Sequence, residues 1–142
     1  NTLTCLADRG GPGRISFFGG LRIGQVAPHE KAAGGALSIA SLIDLAGLKA
    51  AVVTQRAEAK DYLDLHALLT IGGLDLASML AAASILYGET FSPLLSLKAI
   101  AYHEDTPLAK LPESLRRDLI RAARATSPHK LPSLPGVRSW AG

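Results

Sequence analysis

A change of hydrophobic period near Ser41 constrains this chain more than any other feature. Before it, apolar and polar residues alternate as in half-buried strands. After it, apolar residues recur at three- and four-residue spacing, as on one face of a helix. Thr2-Leu3-Thr4-Cys5-Leu6 alternates and is followed by the turn residues Gly10, Gly11, Pro12 and Gly13. Residues 14–18 and 21–26 alternate again around Gly19-Gly20, which predicts a tight hairpin because primed turns need positive φ. A charged, glycine-containing loop over 28–35 and a short strand over 37–40 complete this part.

The helical part opens with Ser41 and Asp44, a shortened capping box in which the hydroxyl accepts an orphan N–H. Leu42, Leu45, Ala46, Lys49, Val52 and Val53 then share one face at helical spacing. A second helix is expected over 58–69 with Gly72-Gly73 as its stop, and a third from Asp75 to Gly88. Ser92-Pro93 is an N-cap and first-turn pair for a fourth helix reaching about His103, and Pro112-Glu113 starts a last one. The tail after Ser127 holds Pro128, Pro132 and Pro135 and reads as irregular. The expected fold class is therefore α+β. Short antiparallel strands occupy 1–40, about five helices occupy 41–126, and a Pro-rich tail occupies 127–142.

Composition agrees with one helix-rich domain. The 142 residues suffice for a single hydrophobic core, and 48% hydrophobic with 19% charged residues excludes a disordered chain. Aromatics are only 5%, so aliphatic helix packing is favoured over a β-sandwich. The one cysteine, Cys5, forms no internal disulfide, which fits a reducing cytoplasm; its simplest role is a small buried residue on a strand. The uncharged run 76–88 is too short to cross a membrane, and no secretory signal is visible. The chain opens mid-pattern without Met, which reads as a fragment of a longer protein.

Charge is unevenly placed. Residues 1–112 hold nine Lys/Arg against ten Asp/Glu, whereas residues 113–142 hold six against two. The basic character belongs to the last segment, which suits phosphate or RNA contact. There, Arg117, Arg121 and Arg124 stand at i, i+4 and i+7 beside Arg116, opposite Leu115, Leu119 and Ile120. The ridge is either a contact surface for RNA or triphosphate, or a solvated face whose arginines suit the helix C-terminus.

Two further sites carry potential chemistry. Lys49 lies within an apolar stripe, so its ammonium must snorkel to the rim, meet a carboxylate, or meet an anionic ligand. Asp61 and Asp64 share a helix face with Leu65 and Leu68. They can act as a general base or hold a positive group; alternatively Lys60 and Asp64 form an exposed i,i+4 pair while Asp61 favours the helix N-terminus. His29, His66, His103 and His129 are far apart and have no neighbouring Cys, so no metal site is expected.

The stretch Ala40-Ser41-Leu42-Ile43-Asp44-Leu45-Ala46-Gly47-Leu48-Lys49, then Gln55-Arg56 and Lys60-Asp61-Tyr62-Leu63-Asp64-Leu65, resembles a known pattern. It is similar to the C-terminal motifs of AbiEii/AbiGii-type nucleotidyltransferases, the toxins of type IV toxin–antitoxin and phage-defence systems. Their pattern is roughly D-L-x-x-x-K, an Arg, then [KR]-D-x-x-D-L. The resemblance extends to about Arg124 and implies a polymerase-β-like catalytic half whose Asp-x-Asp holds metal. It implies that Lys49 contacts nucleotide phosphate and that Asp61 orients Lys49 or accepts a proton from the attacking hydroxyl. Asp64 would support them. Apart from the resemblance, Arg56 and the ridge residues Arg117, Arg121 and Arg124 are the candidate phosphate or nucleic-acid contacts. Mg²⁺ and an NTP would belong to the complete protein, acting on an RNA or protein acceptor. Expected partners are the N-terminal catalytic half, an antitoxin protein, or a second copy across exposed strands. No Asp-x-Asp occurs in these 142 residues, so the chain by itself is expected to be inactive. The reading from a different class is a non-catalytic helical module that binds a protein or nucleic acid.

Overall fold

The computed structural model describes residues 2–8, 10–18, 23–102 and 106–136, and the chain is α+β. Strands β1 (Thr2–Asp8) and β2 (Pro12–Phe18) form an antiparallel hairpin with Leu3 opposite Phe17 and Cys5 opposite Ile15. Its turn uses Gly10 and Gly11 at φ of 81° and 147°, and the Gly11 N–H donates to the Asp8 carboxylate at 3.2 Å. Two-residue strands β3 (Glu30–Lys31) and β4 (Ser38–Ile39) pair separately.

The hairpin predicted at Gly19-Gly20 lies outside the described residues. Its second arm is not a strand where it is described, over 23–26, apart from an isolated bridge at Gln25. There the Gly24 N–H donates to the Leu86 carbonyl at 2.8 Å and the Val26 N–H to the Asp44 carboxylate at 2.7 Å. Donors committed to the helical body are not available to a strand ladder.

Side chains alternate across a strand, so Leu3, Cys5, Ala7, Ile15 and Phe17 share one face of the β1–β2 hairpin. On the opposite face the Thr4 and Ser16 hydroxyls hydrogen-bond at 3.1 Å. The apolar face is open: Ile15 and Phe17 are 49% and 55% exposed. Cys5, expected to be buried, is exposed with them.

Helix α1 (Leu42–Val52) starts as the capping box requires, with the Asp44 N–H donating to Ser41 Oγ at 3.1 Å. Its core face differs from the expected stripe. Ala46, Gly47, Ala50 and Ala51 are buried, whereas Leu42 and Leu45 are exposed. The helix is apolar nearly all round, so periodicity alone does not choose its inner face. Close approach chooses it: a Cβ added to Gly47 would stand 2.9 Å from backbone atoms of both Ala82 and Ala83 on α3 (Leu76–Tyr87). Only a face of small residues allows that crossing.

Helix α2 (Ala59–Thr70) precedes α3, whose N-cap Asp75 accepts from the Ser78 N–H. After a 3-10 turn (Gly88–Thr90) comes α4 (Pro93–Ala101), capped by Ser92. It stops short of His103, which lies outside the described residues. A one-turn helix α5 (Thr106–Ala109), not anticipated, leads to α6 (Glu113–Ala125). Tyr62, Leu65, Met79, Leu80, Ile100 and Leu119 make the centre of the core. Two hydrogen bonds fix α4 against it: Ser96 Oγ donates to the Ala50 carbonyl at 2.6 Å, and Tyr62 Oη to the Ala99 carbonyl at 3.1 Å. The irregular tail returns to the helices, with Leu131 packed on the core and Gly136 against Ile85. No helix among the described residues is long and apolar enough to cross a membrane.

Gly47→Ala separates packing from helix propensity. Alanine in a helix interior gains about 1 kcal/mol, while forcing a methyl into backbone contact costs about 1–3 kcal/mol. The urea midpoint of the variant is expected to fall, and an unchanged or higher midpoint would refute the close α1–α3 crossing.

Candidate functional site

Asp61 sits in the first turn of α2 with no exposed side-chain surface. A buried carboxylate must be compensated or neutralised, and here it is compensated twice. Lys49 Nζ from α1 donates to Oδ1 at 3.2 Å. Arg56, on the link between α1 and α2, donates through Nε to Oδ2 at 2.9 Å and through Nη2 to Oδ1 at 3.3 Å. The structure thus joins Lys49 to Asp61, as expected of a lysine on an apolar stripe and an aspartate after a short break. It adds Arg56, which was expected only as a phosphate or nucleic-acid contact.

Each cation also reaches outward to a second carboxylate. Lys49 Nζ lies 2.6 Å from Asp64 Oδ2, and Arg56 Nη1 lies 3.4 Å from Glu58 Oε1. Lys60 pairs with Glu58 at 3.0 Å, and the alternative i,i+4 pair of Lys60 with Asp64 is replaced by Asp64 with Lys49. The result is a chain of alternating charge running Asp64, Lys49, Asp61, Arg56, Glu58, Lys60. Exposure is graded along it: Asp61 is fully covered, Lys49 is 23% exposed and Asp64 is 50% exposed.

Burial pushes the Asp61 carboxyl up, but the hydrogen bonds from Arg56 and then Lys49 outweigh it and hold the group below the ordinary aspartate value. For Lys49, burial pulls the ammonium down, and Asp64 and Asp61 together raise it above its ordinary value. Arg56 is raised, chiefly by its hydrogen bonds to Asp61. At neutral pH all three are therefore charged.

Lys49 and Asp64 stand at the lip of a groove of about 560 Å³ between α1 and α2, floored by Leu42, Leu45, Ala67 and Leu68. The sequence predicts that Lys49 and Asp61 open on one concave surface. Lys49 does border this groove with Leu42 and Leu45 of its own stripe, whereas Asp61 is covered and does not line it.

The other expected site residues lie elsewhere. Arg117, Arg121 and Arg124 are exposed on α6, where Arg121 donates to Asp118 at 2.8 Å. His66 Nε2 meets Asp118 Oδ2 at 3.1 Å, tying α2 to α6, and this contact is what chiefly holds the Asp118 carboxyl down. No group of three or more His, Cys, Asp or Glu side chains suited to a metal comes together among the described residues. Asp61 and Asp64 do not fit such a role, since their oxygens already accept from Lys49 and Arg56. Compared with known protein families, curated proteins and solved structures, the chain matches none.

Breaking the cluster is expected to show its grading. Asp61→Asn is expected to lower stability by about 2–3 kcal/mol, less than a wholly buried pair because Lys49 and Arg56 keep some solvent. Asp64→Asn is expected to cost less than about 1 kcal/mol. The contribution of a depressed carboxyl is present in full above its unfolded pKa near pH ~4 and is lost as pH falls from there through the folded value. Urea titrations between neutral and acid pH are expected to show a steeper acid limb for the parent than for Asp61→Asn. Parallel limbs would show that Asp61 is not held ionised.

Proposed function

We propose that this chain is the C-terminal part of a nucleotidyltransferase, similar to the AbiEii/AbiGii toxins, in which Lys49 binds the phosphates of a nucleoside triphosphate. The carrying observation is an ammonium fixed from behind by a covered carboxylate and fronted by one that is half exposed. Asp61 and Arg56 orient Lys49. Asp64 occupies the position an incoming phosphate takes, and it can swing into solvent when displaced. In such transfers positioning and charge stabilisation do most of the work, so an immobilised cation at the edge of an apolar groove is useful.

The geometry narrows the role of Asp61. A carboxylate held ionised by two cations, with no path to solvent, is a poor acceptor for the proton of an attacking hydroxyl. It is a positioning residue. The metal-holding carboxylates implied by the family resemblance do not come from Asp61 and Asp64, whose oxygens are taken by Lys49 and Arg56. The open apolar face of the hairpin, with Leu3, Ile15 and Phe17, supports docking of a further catalytic body. A cytoplasmic setting fits this reading.

Nucleotide binding to the 142-residue chain tests the site directly. Lys49→Ala is expected to abolish ATP binding measured by NMR titration. Asp64→Asn removes the competing anion and is expected to tighten it roughly two- to fivefold. ATP binding that survives Lys49→Ala, or weakens in Asp64→Asn, would rule the site out. With labelled NTPs, Mg²⁺ and total tRNA the chain alone is expected to transfer no label, and Lys49-dependent labelling would contradict that part of the proposal.

A further inference from the structure

The outer face of α6 carries a second site that the Lys49 cluster does not use. Arg116, Arg117, Arg121 and Arg124 line an open groove of about 770 Å³ with Ile120, and among the described residues Glu113 is the only acidic side chain on its wall. Ile120 belongs to this groove rather than to the buried face, where Leu115, Leu119 and Ala123 lie. Of the four guanidinium groups, only that of Arg121 pairs with a carboxylate among the described residues. Arg116 is partly buried, and its Nε is covered with no hydrogen-bond partner.

Uncompensated cations side by side repel one another and lower the stability of a helix face. The nearby acid, Asp118, relieves this only in part: it pairs with Arg121 and attracts Arg117 without a hydrogen bond, while His66 holds its other oxygen. The arrangement is therefore suited to an external anion. From Arg117 to Arg124 the helix rises about 10 Å at 1.5 Å per residue, so the charges form a row longer than one phosphate group. The site is not built for a compact phosphate: its wall is one helix side, without a glycine-rich loop to cradle one, and an acid, Glu113, stands where the helix begins. Its lining holds no aromatic side chain on which a base could stack, so a strand would be held by its phosphates alone and its sequence would not be read.

We propose that this α6 groove binds the sugar–phosphate backbone of a single-stranded nucleic acid, with little preference for sequence. Arg117, Arg121 and Arg124 contact successive phosphates, and Arg116 supports them from the groove wall. The binding does not depend on the nucleotidyltransferase reading, and its test involves neither Lys49 nor nucleotide transfer.

The test is fluorescence anisotropy of the whole chain with labelled oligouridine. Three single-strand phosphate contacts imply a slope of log affinity against log salt near about −2, or roughly a 15- to 20-fold loss between about 50 and 200 mM salt. The variant Arg117→Ala/Arg121→Ala/Arg124→Ala changes exposed positions to the best helix former, so its fold should persist, as circular dichroism can verify. It is expected to lose at least about tenfold in affinity and most of the salt slope. The charge-matched control Lys31→Ala/Lys98→Ala/Lys110→Ala is expected to keep both. Equal losses in variant and control would reduce the effect to net charge and overturn the proposal. So would tripolyphosphate binding as tightly as the strand, or an oligoglutamate peptide, rather than oligouridine, being the ligand released by the variant.

Discussion

One covered carboxylate organises the functional half of this molecule. Asp61 has no exposed surface, and an ionised group in that position is tolerated only while cations stay within hydrogen-bonding reach. Lys49 must therefore approach from α1, and Arg56 must fold back from the link. That link is tight: the Arg56 N–H donates to the Val52 carbonyl, and Thr54 Oγ1 to the Ala51 carbonyl. With α1 oriented in this way, its small residues meet α3 and its leucines Leu42 and Leu45 are left to line the open groove.

A second buried acid solves the same problem by other means. Asp44 is covered and meets no cation among the described residues; its oxygens accept from the Val26 and Ala27 N–H groups and from the Ser41 hydroxyl. Backbone donors are fixed dipoles, so this carboxylate serves as a rivet that holds the incoming chain against α1. The contrast separates the two acids functionally. Asp44 is closed on itself, whereas Asp61 passes its influence through Lys49 to a partly solvated surface.

Helices α1, α3 and α4 were legible because their caps are local: Ser41, Asp75 and Ser92 each accept an N–H three residues on. The proximity of Lys49 to Asp61 was legible too, since a lysine on an apolar stripe and an aspartate after a short break need each other. The inner face of α1 was not, because a helix apolar on all sides gives no periodic signal and only the Gly47 crossing decides it. The arm 23–26 alternated like a strand but gave its donors to Leu86 and Asp44, a long-range choice that no local pattern encodes. Arg116 was noticed as a neighbour of the ridge, yet its covered Nε depends on tertiary packing.

The account rests on Asp61 being ionised and clamped in solution, and the titration of its carboxyl carbon by ¹³C NMR measures this directly. The predicted midpoint lies below the ordinary aspartate value of 3.8 and moves upward in Lys49→Met. A midpoint at or above that value, unmoved by loss of Lys49, would contradict the clamp and remove the physical basis for the proposed site.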